Sequence, residues 1–209
     1  FSTHNASVAF YDSAYIDYVL TFIMFFSGAN FNLHLAAIRG RTLRPYRDAE
    51  FGFYAVIVVS SVLMICAVLI WHGAYDDFIA ALRYASFQVV SIITTTGFVT
   101  ANYALWPMFT QLLLLALMLV GGCAGSTAGA IKCVRFQVVI KESIAELKRM
   151  IHPNAVVAIF QGRNTASPSM VTSAASFIAI YFIIWGASAL AVSLSGHDIV
   201  TSISAVAAT

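Results

Sequence analysis

Charge is scarce in this sequence. Eleven basic and nine acidic side chains in 209 residues amount to 10% of the chain, against about 25% in ordinary soluble domains. That is too few to coat a folded chain of this length, so a soluble globular protein is excluded. Cysteine is scarce too. Cys66, Cys123 and Cys133 lie in or beside apolar stretches with no CxxC spacing, which indicates neither a disulfide framework nor a metal site. His4, His34, His72, His152 and His197 are scattered, with no triad or metal partners nearby in sequence, and no enzyme is expected. The net charge of +2 gives no sign of nucleic-acid binding. The chain begins at Phe1 without the basic start of a signal sequence. It ends inside an apolar run and reads as an internal piece of a longer membrane protein.

Apolar residues are plentiful: 60% of the chain, with a mean hydropathy of +0.86. Apolar runs cover Ala14–Ile38, Phe51–Trp71, Asp76–Ile93, Leu105–Val120 and Val171–Leu194, several of them near the roughly 20 residues that cross a bilayer. Ten of the eleven basic residues fall into two blocks, Arg39–Arg47 and Lys132–Arg163, and the positive-inside bias puts both near the cytoplasm. Three candidate segments separate the blocks. Three full crossings would put the blocks on opposite sides, so one segment must enter and return. Asp76–Ile93 is the candidate, since it contains Arg83 and Gln88 and runs into Thr94-Thr95-Thr96-Gly97, a poor continuation for a helix. This predicts a short helix dipping in from outside, followed by an extended strand climbing back.

Two echoes suggest a repeat. Phe1-x-Thr3-x-Asn5 matches Phe98-x-Thr100-x-Asn102, and Asp77-Phe78-Ile79-Ala80 is echoed by Asp198-Ile199-Val200-Thr201. The predicted fold is an all-α membrane protein of repeated units (crossing helix, pore helix, extended turn, crossing helix) around a central pore. Residues 1–50 would hold the tail of one unit and a basic cytoplasmic loop. A complete unit would occupy 51–150, and 151–209 a connector and the start of the next unit.

Irregular backbone at membrane depth must be buried in protein or line a watery cavity, and two stretches qualify. In Thr94–Phe98, a ring of carbonyl oxygens could replace the hydration shell of K⁺, and Gly97 permits the backbone angles this needs. The alternative is a Thr-rich turn between helices. In Gly121–Lys132, four glycines oppose continuous helix by about 4 kcal/mol in total. The GxxxGxxxG spacing of Gly121, Gly125 and Gly129 also fits a helix-packing face; a phosphate-binding loop is not matched. A helix broken inside the membrane, lined by small polar residues, is the third reading. Lys132 favours it, because an intramembrane ammonium costs about 2.5–3.5 kcal/mol unless it finds water or a partner. Snorkelling of Lys132 to the inner interface is the plainer alternative.

Thr94–Phe98, the Gly121–Lys132 stretch and the run Leu147-Lys148-Arg149 with His152-Pro153-Asn154 together resemble the membrane subunit of bacterial Trk-type potassium uptake systems, in the superfamily of Ktr and plant HKT transporters. The resemblance implies a multi-pass protein of the bacterial inner membrane with four repeats around one pore, K⁺ as transported ion and no covalently bound cofactor. It implies a homodimer that docks a cytosolic nucleotide-binding (TrkA-like) regulatory subunit, for which Lys141–Arg163 is the candidate surface. Thr94, Thr95, Thr96, Gly97 and Phe98 would form the third filter, with K⁺ at Thr95, Thr96 and Gly97. Phe1 and Ser2 would be the end of the second. Gly121, Gly122, Gly125, Ser126, Thr127, Gly129 and Lys132 would form a gate loop, with the Lys132 charge opposing cations. The family often has glycine where this chain has Ala128 and Ala130. One complete filter of four could not conduct by itself. Rival readings are a Na⁺-coupled or Na⁺-permeable relative and a non-transporting membrane scaffold or sensor.

Overall fold

The structure is a computed structural model that describes residues 6–152, 158, 160–161, 164–196 and 198–208. It is mostly helical. The first apolar run does not form one helix. It splits into α1 (Ala14–Ser27) and α2 (Phe31–Gly40), which meet at 97°. Gly28 sits at the break because a Cβ there would lie 2.5 Å from the Tyr54 hydroxyl and 2.9 Å from Thr94. Asn30 then starts α2 as its N-cap, its side-chain oxygen accepting the Asn32 N–H at 2.9 Å.

Asp48 caps α3 (Ala49–Trp71) by accepting from the backbone N–H groups of Glu50 and Phe51. At 23 residues and 1.5 Å per residue, α3 is long enough to span a bilayer. Among the described residues, α3 and α7 (Pro168–Ser193) are each long and apolar enough to cross, and the bent α1–α2 pair makes a third span if it is counted as one. α4 (Phe78–Ile93) and α8 (Ile199–Ala208) are shorter apolar helices. Both are entered through an aspartate, Asp77 accepting from the Ile79 N–H at 3.2 Å and Asp198 from the Thr201 N–H at 3.3 Å. The second sequence echo is thus the same capping event twice. α5 (Met108–Met118) ends before the glycines, and the chain becomes helical again in α6 (Cys133–Ile151). A two-residue hairpin, β1 (Phe160–Gln161) with β2 (Asn164–Thr165), lies between α6 and α7.

α4 packs between α1 and α3. Its half from Phe87 to Ile93 is buried throughout, together with Tyr54, Ile65 and Leu69 of α3. Apolar surroundings give little net drive to pack apolar side chains, so close approach matters most. Ala81 and Ala85, both fully buried, permit it along α4. The contacts also give the path of the chain. Near the start of α4, Arg83 Nε donates to Asp17 Oδ2 at 2.7 Å, in the first turn of α1, and Arg83 Nη2 lies 3.6 Å from Asp12 Oδ1, just before that helix. At the far end, Thr94 meets Gly28, at the end of α1. By Val99 the chain has climbed back, its carbonyl accepting from the Ala9 N–H at 3.0 Å. The segment descends alongside α1 and returns, as the count of crossings requires.

Candidate ion-binding strand and gate loop

The strand after α4 is not a β-strand: Thr94 and Thr95 form a turn, irregular backbone follows instead of the expected extended chain, and the segment is held by its own helix. Thr95 N–H donates to Ile92 O at 2.9 Å, and the N–H groups of Thr96 and Gly97 both donate to Ser91 O, at 2.9 and 3.4 Å. The Ser91 hydroxyl reaches forward to Phe98 O at 2.6 Å, and the Thr94 and Thr96 hydroxyls pair at 2.8 Å. In a planar trans peptide each carbonyl opposes the following N–H. With those N–H groups turned back to α4, the carbonyls of Thr94, Thr95 and Thr96 point away from it. No described residue donates to the carbonyl oxygens of Thr94, Thr95, Thr96 or Gly97. Two residues turn the chain through left-handed conformations, Thr95 at φ +54° and Gly97 at φ +77°. For glycine that is ordinary; for threonine it costs about 1–2 kcal/mol. Thr95 and Gly97 are exposed while Thr94 is buried, and the α4 C-terminus directs its partial negative charge toward the strand. Thr95, Gly97, Ala207 and Ala208 share one cavity of about 120 Å³, so the ends of α4 and α8 converge on the same space.

The glycine stretch is not a helix-packing face, because residues 119–132 leave the helix altogether. Its two ends meet at a neck: Gly121 N–H donates to Ile131 O at 2.9 Å, and Cys133 N–H to Gly122 O at 3.1 Å. A Cβ on Gly121 would lie 2.0 Å from Gly129 O, and one on Gly122 2.5 Å from Gly28 O. These glycines are needed for close backbone approach. Beyond the neck, the loop lands on the α1–α2 break. Cys123 N–H donates to Gly28 O at 2.9 Å, Thr127 N–H to Ser27 O at 3.4 Å, and Phe31 N–H to Gly125 O at 3.1 Å. The last carbonyls of α1 and the first N–H of α2, which a helix cannot satisfy internally, are therefore satisfied by the loop. Gly129 N–H donates to Thr95 Oγ1 at 2.8 Å. The loop thus touches the strand directly. Lys132 folds its ammonium onto the loop's own carbonyls, Ser126 O at 3.5 Å and Ala128 O. Ala130 is left-handed at φ +52°, a backbone that favours glycine.

Two polar contacts escaped the sequence reading. One is the Arg83–Asp17 pair, in which the Asp17 side chain is 3% exposed; the signal was an isolated arginine and an isolated aspartate in apolar runs. The other is Glu50, whose Oε1 accepts the Ala124 N–H at 2.6 Å. Nothing in the sequence joins residues 74 positions apart. Phe1 and Ser2 lie outside the described residues, as do Arg163 and the first echo's Phe1–Asn5 half.

A short helix that dips and returns, a segment with outward carbonyls and a helix broken inside an apolar bundle define a multi-pass, all-α membrane protein. The family described as "TrkH: Cation transport protein" matches residues 1–209. The chain is 40% identical over its full length to the Trk system potassium uptake protein TrkH of Salmonella typhimurium, covering 44% of that protein. It is 31% identical to the Trk system potassium uptake protein TrkG of Escherichia coli, covering 43% of it. The crystal structure of the potassium transporter TrkH from Vibrio parahaemolyticus superposes with a TM-score of 0.93 at 37% identity, over all of this chain and 45% of that one. The chain belongs to the TrkH family of cation transport proteins, which are not enzymes, and it spans less than half the length of these relatives.

Proposed function

We propose that the protein takes up potassium across the bacterial inner membrane, with Thr94–Gly97 as one arc of a carbonyl-lined selectivity filter and residues 121–132 as its gate. The observation that carries this reading is the run of carbonyls at Thr94, Thr95, Thr96 and Gly97 to which no described residue donates. Such oxygens can replace the hydration shell of a K⁺ ion. The other filter arcs belong to the rest of the protein, whose homodimer and cytosolic nucleotide-binding regulator complete the reading. α6, with Lys148 and Arg149 in its last turn, is the start of the surface for that regulator, whose rim charges would govern the rate of association.

The test is Gly97→Ser in the full-length protein. A Cβ at Gly97 meets no atom within 4 Å, so its effect comes through the left-handed backbone at φ +77° and not through a clash. The strain of about 1–2 kcal/mol should reduce K⁺-over-Na⁺ discrimination by up to about thirtyfold while expression stays normal. Unchanged flux ratios would remove Gly97 from the filter.

A further inference from the structure

The loop at 121–132 carries small side chains, and backbone hydrogen bonds to the α1–α2 break hold most of it. One ionisable side chain from another helix reaches its outer arm. Glu50, in the first turn of α3, is half-buried and accepts the Ala124 N–H at 2.6 Å. A carboxylate at a helix N-terminus is favourably placed, and a hydrogen bond to a charged acceptor is among the strong ones. Gln137 of α6 donates to the Ala49 carbonyl at 3.3 Å. The start of α3, the start of α6 and the outer arm of the loop therefore meet at one junction centred on Glu50.

We propose that Glu50 is the latch of this loop: a positioning residue that holds the loop closed through Ala124 and releases it when the contact is lost. Lys132 donates to the Ser126 and Ala128 carbonyls on the C-terminal arm of the loop, so Glu50 is the clasp on its N-terminal arm. The transport consequence rests on the reading of residues 121–132 as a gate. The release of the loop does not.

A native reporter sits beside the latch. The Cys123 thiol is fully buried, immediately before Ala124, and Cys66 is buried within α3. Alkylation of each cysteine would be followed by peptide mass spectrometry in the purified full-length protein, comparing native, Glu50→Ala and Glu50→Gln forms. Losing a hydrogen bond to a charged group should raise the Cys123 rate about tenfold or more in Glu50→Ala. Cys66 should be unaffected, and Glu50→Gln, which keeps an acceptor oxygen, should stay close to native. No acceleration at Cys123, equal acceleration at Cys66, or a glutamine variant as fast as alanine would each overturn the latch. K⁺ flux into vesicles without the regulator separates the two ideas. Glu50→Ala and removal of residues 122–129 should each raise flux, and combining them should add nothing. Fast Cys123 labelling with flux raised by neither change keeps the latch and rejects the gate. Flux raised by the deletion alone rejects the latch as what keeps the gate shut.

Discussion

The strand at 94–98 and the loop at 121–132 both interrupt a helix inside an apolar bundle, and they satisfy their backbones in opposite ways. The strand binds locally. Its N–H groups return to Ser91 and Ile92, at most six residues back, which leaves its carbonyls facing outward and fixes it to α4. The loop binds at long range, to Ser27, Gly28, Glu50 and Thr95, on three other parts of the chain. A segment anchored to its own helix moves only with that helix. A segment anchored to its neighbours can part from them while its neck stays closed. Low local stability of that kind is where moving elements are drawn from.

The sharpest way to break this contrast is at the strand's support. Asp17→Asn leaves Arg83 with only the more distant Asp12 at 3.6 Å, and half-broken buried pairs cost about 3–5 kcal/mol. The variant should lose stability in detergent by about that much, and the paired change Asp17→Leu with Arg83→Met should recover most of it. Next is the neck of the loop. Gly121→Ala puts a Cβ 2.0 Å from Gly129 O, against backbone that cannot swing aside, and should cost about 3 kcal/mol. If thermal melting of Gly121→Ala matches the native protein, the neck is not closed as described. The smallest effect is expected at Ala130. Its left-handed φ of +52° costs alanine more than glycine, offset partly by the entropy glycine loses on folding. Ala130→Gly should stabilise by about 0.5 kcal/mol, read as a small rise in melting temperature, and any loss of stability would show that Ala130 is not strained.

Much of this arrangement was legible from a few residues. The two basic blocks required a re-entrant segment, and α4 with its returning strand supplies it. Thr94–Gly97 and the glycines from 121 onward are local signals, since glycine and threonine runs change what a backbone can do within a few residues. What stayed hidden depends on distant partners. Gly28 reads as an ordinary residue in an apolar run until the Tyr54 hydroxyl is placed against it. Glu50 reads as part of the α3 N-terminus until Ala124 arrives. The direct contact of Gly129 with Thr95 depends on how far the loop folds back, which spacing along the chain does not measure.

The docking of the loop on the α1–α2 break has a consequence for inheritance. Two interruptions that lie about a hundred residues apart complete each other: the break exposes Ser27 O, Gly28 O and Phe31 N–H, and the loop brings Thr127 N–H, Cys123 N–H and Gly125 O to meet them. Neither interruption is a self-sufficient module. A chimera that takes residues 119–133 from a relative without the matching 24–34 would carry one half of a lock fitted to another key, and the two stretches should be exchanged, and should have diverged, as a single unit.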